Sequence, residues 1–255
     1  MSSLPIAADA GGDTFAPTHW SVIAAASRSE SEPEKARAAL GELCQTYWMP
    51  LYTFVRTRGY SVHDAQDLTQ SFFAHFIEDQ IYARTAPAKG RFRSFLLAAL
   101  KNFLADAYTR AQRIKRGGAE IFLPLDEGRV EAAESLFQTR CATAELGEDR
   151  LFERSWAEAL VATGLERLSA ECESEGRLSL FQQLRIFLTG GVGPLPTYDQ
   201  LAAKTGLPAP TLRSHVTRMR KRYRELLRAE VRQTVMSEAE VDGELHELFR
   251  VLTGG

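Results

Sequence analysis

Side chains that could hold nucleic-acid phosphates are concentrated in the last third of the chain, between Thr211 and Arg232. This stretch contains eight arginines and lysines against two glutamates, so its net charge is +6. Its apolar residues recur at the spacing of one buried helical stripe, which leaves the cations on the other faces. The stripe consists of Leu212, Val216, Met219, Tyr223, Leu226 and Leu227. A cationic helix of this kind can neutralise DNA phosphates while a few side chains reach base edges in the major groove.

The residues before this helix predict a shorter helix and a tight turn. Tyr198, Leu201 and Ala202 share one helical face, and Gly206 ends that helix. A turn follows before Pro210, which the first turn of a helix tolerates. Together these features predict a helix-turn-helix whose second helix is basic. A helical hairpin with a solvated charged face is the alternative, and charge density and turn residues together favour DNA binding.

A second basic helix is predicted earlier in the chain, from Arg91 to Arg116. Seven cations against the single Asp106 again give a net charge of +6, and Gly117-Gly118 ends the helix. Aromatic residues alternate with these cations, as in proteins that hold unstacked bases. Most of the aromatics lie on the apolar stripe, so we expect them to form core instead.

Two carboxylates, Asp64 and Asp67, share a helical face with Ser71 after a predicted cap at Ser61. Paired carboxylates can perform acid–base catalysis, but an exposed pair on a capped helix is typical of capping or of partner contact. The chain has no phosphate-binding loop, no nucleophile elbow and no His or Cys spacing for a metal. We therefore expect no enzyme activity, no cofactor and no metal.

Composition sets limits on the class of protein. The 255 residues have a net charge of −2, so acidic segments elsewhere offset the basic helices. Cys44, Cys141 and Cys172 are far apart, which indicates a reducing compartment. No run approaches the roughly 18 apolar residues of a membrane span, and the N-terminus lacks the pattern of a signal peptide. The sequence predicts a cytoplasmic protein without membrane insertion.

Helical periodicity without β-alternation predicts an all-α fold of two helical domains joined by a flexible linker, the second ending in the helix-turn-helix. The predicted segments are a flexible leader (1–19), a first domain (20–118), the linker (119–147), a second domain (148–235) and a C-terminal tail helix (236–255). We expect Pro50 to kink or interrupt the helix that begins near Pro33. The tail helix either packs on the DNA-binding domain or binds a partner.

Residues 46–76 and 90–117 resemble the second region of bacterial RNA polymerase sigma factors, and the helix-turn-helix resembles the fourth. The extracytoplasmic-function subfamily, which keeps only these two regions, is the most similar. Its core-binding helix usually carries an Asp-Ala-Glu-Asp pattern, which here is the segment Asp64–Asp67. The resemblance implies an alternative sigma factor that binds core RNA polymerase, through its β′ and β subunits, and promoter DNA.

The resemblance also implies roles for individual residues. Asp64, Asp67 and Gln70 would bind the core polymerase. The −10 DNA element would be held, beside the loop Tyr82–Gly90, by Arg91, Arg93, Lys101, Asn102, Arg110, Arg113, Lys115 and Arg116. The −35 element would be read by Thr211, Arg213, Ser214, Thr217, Arg218 and Lys221. Asp106 departs from the family pattern, because a carboxylate repels phosphate.

One departure suggests regulation. Gln66 stands where the family usually has an acidic residue, which weakens the negative patch offered to the polymerase. Phosphorylation of Thr69, one turn further along, would add about −1.5 to −2 charge units there. We therefore take Thr69 as a candidate phosphosite of a Ser/Thr kinase, with an ordinary surface threonine as the alternative. An anti-sigma factor is the other candidate regulator.

A free-standing helix-turn-helix regulator, whose first domain senses a ligand or dimerises, is the alternative function. Co-purification with core polymerase separates the two, because only a sigma factor needs that partner. A nucleic-acid-processing enzyme is disfavoured by the missing metal and nucleophile groups.

Overall fold

The computed structural model describes residues 33–79, 81, 91–111, 131, 134–135, 137–138, 147–189 and 194–254. Within these residues the chain is helical and has no strand, so the predicted all-α class is confirmed. The predicted leader, residues 20–32 at the start of the predicted first domain and the loop Tyr82–Gly90 lie outside the described residues. No helix in the described ranges combines the length and apolar character that a membrane crossing requires.

Nine helices make up the described part of the chain. They are α1 (Pro33–Thr57), α2 (Val62–Glu78), α3 (Phe92–Ala111), α4 (Glu148–Ser174), α5 (Leu178–Leu184), α6 (Ile186–Thr189), α7 (Tyr198–Thr205), α8 (Ala209–Gln233) and α9 (Glu238–Thr253).

Helix α1 continues through Pro50, so the predicted interruption is wrong. Proline removes one backbone hydrogen bond from a helix interior and crowds the preceding turn. The residues around it compensate, because Tyr47, Leu51 and Tyr52 are all fully buried in the core. Packing on both sides of Pro50 therefore keeps the helix continuous, and whether it is kinked there stays a prediction.

The start of α2 forms as its sequence predicts. The Ser61 hydroxyl oxygen accepts a hydrogen bond from the Asp64 backbone N–H at 3.1 Å and donates one to the Asp64 carboxylate at 2.6 Å. Ala65, Phe72, Phe73 and Phe76 are buried on the opposite face. The cap and the apolar stripe together fix which face of α2 remains in solvent.

Two clusters of apolar side chains form the core, and α4 and α8 belong to both. The first cluster joins α1, α2 and α3 to Phe152 and Trp156 of α4, Val231 of α8 and Leu248 of α9. The second joins the far end of α4 to α5, α7 and most of α8. Division into two domains stays a prediction. In the described residues, the two halves pack directly against each other through these shared helices.

Ion pairs reinforce this contact between the halves. Arg58, just after α1, lies 2.6 Å from the Glu148 carboxylate at the start of α4. Lys101 of α3 lies 2.7 Å from the Asp149 carboxylate. Both pairs are partly exposed, so each contributes at most about 1 kcal/mol. They help to orient the start of α4 relative to α1 and α3, while the burial of apolar side chains supplies the larger part of the stabilisation.

Part of the predicted linker is anchored to α1. Glu134 forms a two-pronged ion pair with Arg56 at 2.8 and 2.9 Å and accepts a hydrogen bond from the Tyr52 hydroxyl at 2.8 Å. The Arg56 guanidinium also lies 4.6 Å from the centre of the Phe137 ring. These contacts hold Glu134 and Phe137, which belong to the predicted linker 119–147, against α1. The sequence of this segment has no clear apolar stripe that would have predicted them.

The crossing of α4 and α8 depends on the absence of a side chain at Gly164. A Cβ atom there would lie 3.0 Å from Leu227 Cδ2 and 3.1 Å from Tyr223 Cε2. We expect Gly164→Leu to lower the free energy of unfolding by about 1–3 kcal/mol, because it overfills this contact. Urea unfolding measures the change. Leucine at Gly243 of α9, where a Cβ meets no atom within 4 Å, is the matched control. Equal losses from both variants would contradict the close approach.

The anchor at Glu134 predicts a pH dependence. Hydrogen bonds from Arg56 and then Tyr52 lower the pKa of Glu134 from 4.5 to about 2. Because the pKa is lower in the folded state, the stabilisation is complete above about pH 4.5 and is lost as the pH falls toward 2. Glu134→Gln should therefore lower the free energy of unfolding at pH 7, with a deficit that shrinks as the pH falls through this window. Glu131→Gln, at an exposed position nearby, should show no such trend in acid titrations of stability.

Candidate nucleic-acid interface

The turn between α7 and α8 fixes how the basic helix leaves the core. Thr197 caps α7, and its hydroxyl and the Gln200 side chain form a reciprocal capping box at 3.2 and 2.9 Å. Gly206 ends α7 with φ of 73°, a left-handed conformation that glycine adopts without the steric cost of a side chain. Pro208 then precedes Ala209, the first residue of α8. The turn residues predicted from the sequence are therefore at the positions expected of them.

The apolar stripe of α8 faces the core, and the residues predicted to contact the −35 element lie on the other side. Leu212 and Val216 are almost completely buried. Arg213, Ser214, Thr217, Arg218 and Lys221 are exposed, and Thr211 is half-buried. The Ser214 and Thr217 hydroxyls donate to the carbonyls of Pro210 and Arg213 at 3.1 and 3.0 Å. Each hydroxyl retains lone pairs that can accept from another donor.

The cations of α8 fall into two groups by their partners. In the C-terminal half, Arg228 pairs with Glu238 at 2.8 Å and with Asp242, and Arg232 lies 3.3 Å from Glu238. Arg222, in the middle, pairs with Glu171 at 2.6 Å and Glu225 at 3.0 Å. The other group has no carboxylate partner among the described residues. It consists of Arg213, Arg218, Lys221 and Arg224, together with Arg220, whose guanidinium instead donates to the Phe187 carbonyl at 3.1 and 3.3 Å.

Arg224 is a member of this exposed group that the sequence prediction missed. It follows Lys221 by three residues, and Lys221 follows Arg213 by eight, so all three lie on one helical face. This spacing could have identified Arg224 from the sequence. No acidic residue lies in the first turn of α8, so its helix dipole adds to the positive potential there.

Aromatic stacking orients Arg213. Its guanidinium lies 5.3 Å from the centre of the Tyr198 ring, and Tyr198 stacks on Phe187 at 5.1 Å with an interplanar angle of 7°. The cation–π contact leaves the guanidinium exposed while it restricts the side chain. An arginine restricted in this way loses less conformational entropy when it binds a base edge or a phosphate.

Arg218 has a neutral neighbour, His215. Partial burial, and then the charges of Arg218 and Arg177, hold the pKa of His215 below its ordinary value. A guanidinium nitrogen of Arg218 lies 3.4 Å from His215 Nδ1, a contact at which a neutral imidazole nitrogen can accept. The guanidinium therefore keeps its charge without a carboxylate to offset it.

The acidic face of α2 is accessible. Asp64 is exposed, and Asp67 is partly exposed with its carboxylate 3.5 Å from His63 Nε2. Gln70 is half-buried on the same helix. The predicted core-binding residues therefore present two carboxylates to solvent, next to the exposed Val62 at 38%.

Thr69 does not lie on this face, and the prediction that placed it on the docking surface is wrong. Its side chain is 0% exposed. Its hydroxyl donates to the Ala65 carbonyl at 2.7 Å. A phosphate on this side chain would have to enter the core beside Phe72, Phe73 and Phe76, where burying its charge is strongly unfavourable, so the fold disfavours phosphorylation of Thr69.

The predicted −10 contacts at the start of α3 need a larger correction. Arg93 is 1% exposed, pairs with Glu244 of α9 and lies 4.1 Å from the centre of the Trp156 ring. Arg91 is 43% exposed and lies 2.9 Å from the Glu244 carboxylate. In this arrangement Arg93 is a core residue. Of these two arginines, only Arg91 is accessible to DNA. Burial lowers the pKa of Arg93, although arginine remains charged in proteins.

The other predicted −10 residues are divided. Asn102 is exposed, and Asp106, the departure from the family pattern, is exposed on the same helix. Lys101 is engaged with Asp149. The backbone of α3 includes Arg110, but its side chain lies outside the described residues, as do Arg113, Lys115 and Arg116. The most positively charged part of the predicted −10 surface therefore lies outside the described side chains.

Across the described residues, no group of three or more His, Cys, Asp or Glu side chains is placed to hold a metal ion. Comparison of the chain with protein-family models, with curated proteins and with solved structures finds no match in any of the three. The function proposed next therefore rests on the residues and geometry of this chain.

The division of the α8 cations predicts unequal mutational effects. We expect Arg218→Ala to weaken binding to a DNA duplex selected by the wild-type protein by about 1–3 kcal/mol, the usual value of a good base contact. Arg222→Ala, in the same helix but paired with Glu171 and Glu225, is the matched control and should have a smaller effect. Fluorescence anisotropy at fixed salt measures both. Equal losses would contradict the assignment of the interface to the exposed group.

Proposed function

We propose that this protein is an alternative sigma factor that binds core RNA polymerase and directs it to promoters. The observation that carries the DNA-binding part is the exposed group on α8. Arg213, Arg218, Lys221 and Arg224 lie on the helix that follows a tight turn, and no described carboxylate offsets them. In the proposal α7 and α8 are a helix-turn-helix, and the first half of α8 enters the major groove at the −35 element.

The acidic face of α2 supports the second part of the proposal. In the proposal, the exposed carboxylate pair on this helix, apart from α8, is the contact surface for a protein partner. Asp64 and Asp67 suit a basic protein partner, and electrostatic complementarity of this kind favours fast and specific association. The resemblance of residues 46–76 to the core-binding region of sigma factors supports the polymerase as that partner.

The proposed mechanism has no chemical step in this chain. Cations neutralise phosphates and attach the protein to DNA, and a few side chains on α8 select the sequence. The acidic face of α2 brings the polymerase to the same site. The region around α3 then helps to open the −10 element, with Arg91 and Asn102 as its accessible described residues.

Run-off transcription with purified core polymerase tests the proposal. Templates are selected by the chain and polymerase together from a random pool of duplexes. The proposal expects promoter-specific transcripts that depend on the chain. If the protein instead binds DNA tightly but neither co-purifies with core polymerase nor supports transcription, it is a free-standing helix-turn-helix regulator.

Charge reversal on α2 tests the polymerase contact separately from DNA binding. We expect Asp67→Lys to weaken binding to core polymerase at least about tenfold, or about 1.4 kcal/mol, because it places a cation against a basic partner. Binding to duplex DNA alone should not fall. Glu166→Lys, at an exposed position of α4, makes the same change of charge elsewhere and should leave polymerase binding nearly unchanged. A pull-down titration in which both variants behave like the wild type would refute the proposed docking face.

A further inference from the structure

The C-terminal helix α9 places its carboxylates against cations of both basic helices. At its start, Glu238 and Asp242 pair with Arg228 of α8. At its middle, Glu244 lies 2.9 Å from Arg91 of α3 and also pairs with Arg93. The helix thus joins the two regions of the chain that the sequence marks as most positive.

Contacts at the start of α3 are the most buried of these. Glu244 is 3% exposed and lies between the two arginines. Glu247, one turn later, pairs most closely with Arg250 of its own helix at 2.5 Å and also lies 3.9 Å from Arg91 and 4.0 Å from Arg93. Glu153 of α4 lies a further 3.8 Å from Arg93. Three carboxylates therefore surround two guanidinium groups, as the phosphates of a nucleic-acid backbone would.

Apolar contacts hold α9 in this place. Val241 and Leu248 are completely buried in the first cluster, and Gly254 ends the helix in a left-handed conformation. The carboxylates are therefore fixed next to Arg91 at high effective concentration, whereas a DNA phosphate must bind from solution. If the two ion pairs are equally strong intrinsically, Arg91 therefore pairs with the carboxylates of α9 in preference to a DNA phosphate.

We propose that α9 is an autoinhibitory element whose carboxylates occupy Arg91 in place of DNA phosphates. The inference rests on the proposed function and adds a means of regulating it. Arg91 is the arginine at issue, because it is 43% exposed and needs only to exchange Glu244 and Glu247 for a phosphate. Arg93 remains in the core in both states and serves as the buried anchor for Glu244.

Salt dependence measures whether Arg91 gains a phosphate. For duplex DNA, the slope of log Kobs against log[salt] becomes steeper by about 0.9 for each phosphate contact added. The experiment uses the full chain and a labelled duplex, with Glu247→Gln as the first variant. The expected result is tighter binding at low salt, by severalfold to about tenfold, with a slope steeper by up to about 0.9. In an Arg91→Ala background the same substitution should change nothing.

Glu240→Gln is the matched control. It removes one negative charge from the same helix, but the Glu240 carboxylate contacts Ser237 and the Met236 backbone N–H and no arginine in the part of the chain that the structure describes. A general loss of negative charge would tighten binding in this variant as well, whereas release of Arg91 would not. Equal slopes for Glu240→Gln and Glu247→Gln would overturn the proposal.

Glu244→Gln is the stronger variant, because it removes the closest partner of Arg91. It also removes a counterion of buried Arg93, so thermal unfolding is followed for each protein. If Glu244→Gln is folded, it should steepen the slope at least as much as Glu247→Gln. If it unfolds, Glu247→Gln decides, since the Glu247 side chain is partly exposed and is not the nearest counterion of Arg93.

The outcomes separate this inference from the proposed function. If duplex binding persists and Arg218→Ala still weakens it, while Glu247→Gln leaves the salt slope unchanged, autoinhibition is refuted and DNA binding stands. If neither the wild type nor any variant binds duplex DNA with a salt-dependent affinity, the proposed function fails, and the inference fails with it.

Discussion

The buried ion pair between Arg93 and Glu244 is the constraint on which the arrangement of the first cluster depends. A charged side chain is excluded from a protein interior unless it is paired, and the pair is costly to form. Here the guanidinium lies against the Trp156 ring, and its nitrogens make ion pairs without an aligned hydrogen bond among the described residues. Removing one partner of such a pair typically costs about 3–5 kcal/mol. The pair therefore couples the position of α3 to that of α9, and the contact of Arg93 with the Trp156 ring extends this coupling to α4.

The position of α9 also divides the cations of α8 by their partners. Its C-terminal half lies beside α9, where Glu238 and Asp242 neutralise Arg228. From its N-terminal end to just past its middle, Arg213, Arg218, Lys221 and Arg224 have no carboxylate partner among the described residues. One continuous helix thus has cations that stabilise the fold at one end and cations that remain available at the other. Total charge alone would have assigned both ends to the same role.

The features that follow from local spacing could be predicted from the sequence. The α7–α8 turn depends on Gly206 and on one apolar stripe, both of which are visible in the chain. Thr69 could also have been placed correctly, since it lies between Ala65 and Phe72 on the buried stripe of α2. The burial of Arg93 could not be predicted from the sequence, because its partner Glu244 lies in a distant segment of the chain. An arginine within a basic helix gives no local sign that a tryptophan and a carboxylate will enclose it.

The passage of α4 through both apolar clusters has a consequence for the integrity of the protein. The peptide connection across 119–147 is only one of the links between the halves, because Phe152, Trp156 and Leu160 of α4 are embedded among the side chains of α1 and α3. A chain nicked within that segment would keep its two fragments associated by this interface, as in fragment complementation. Proteolytic cleavage there would then alter the chain's covalent continuity without dissociating its parts.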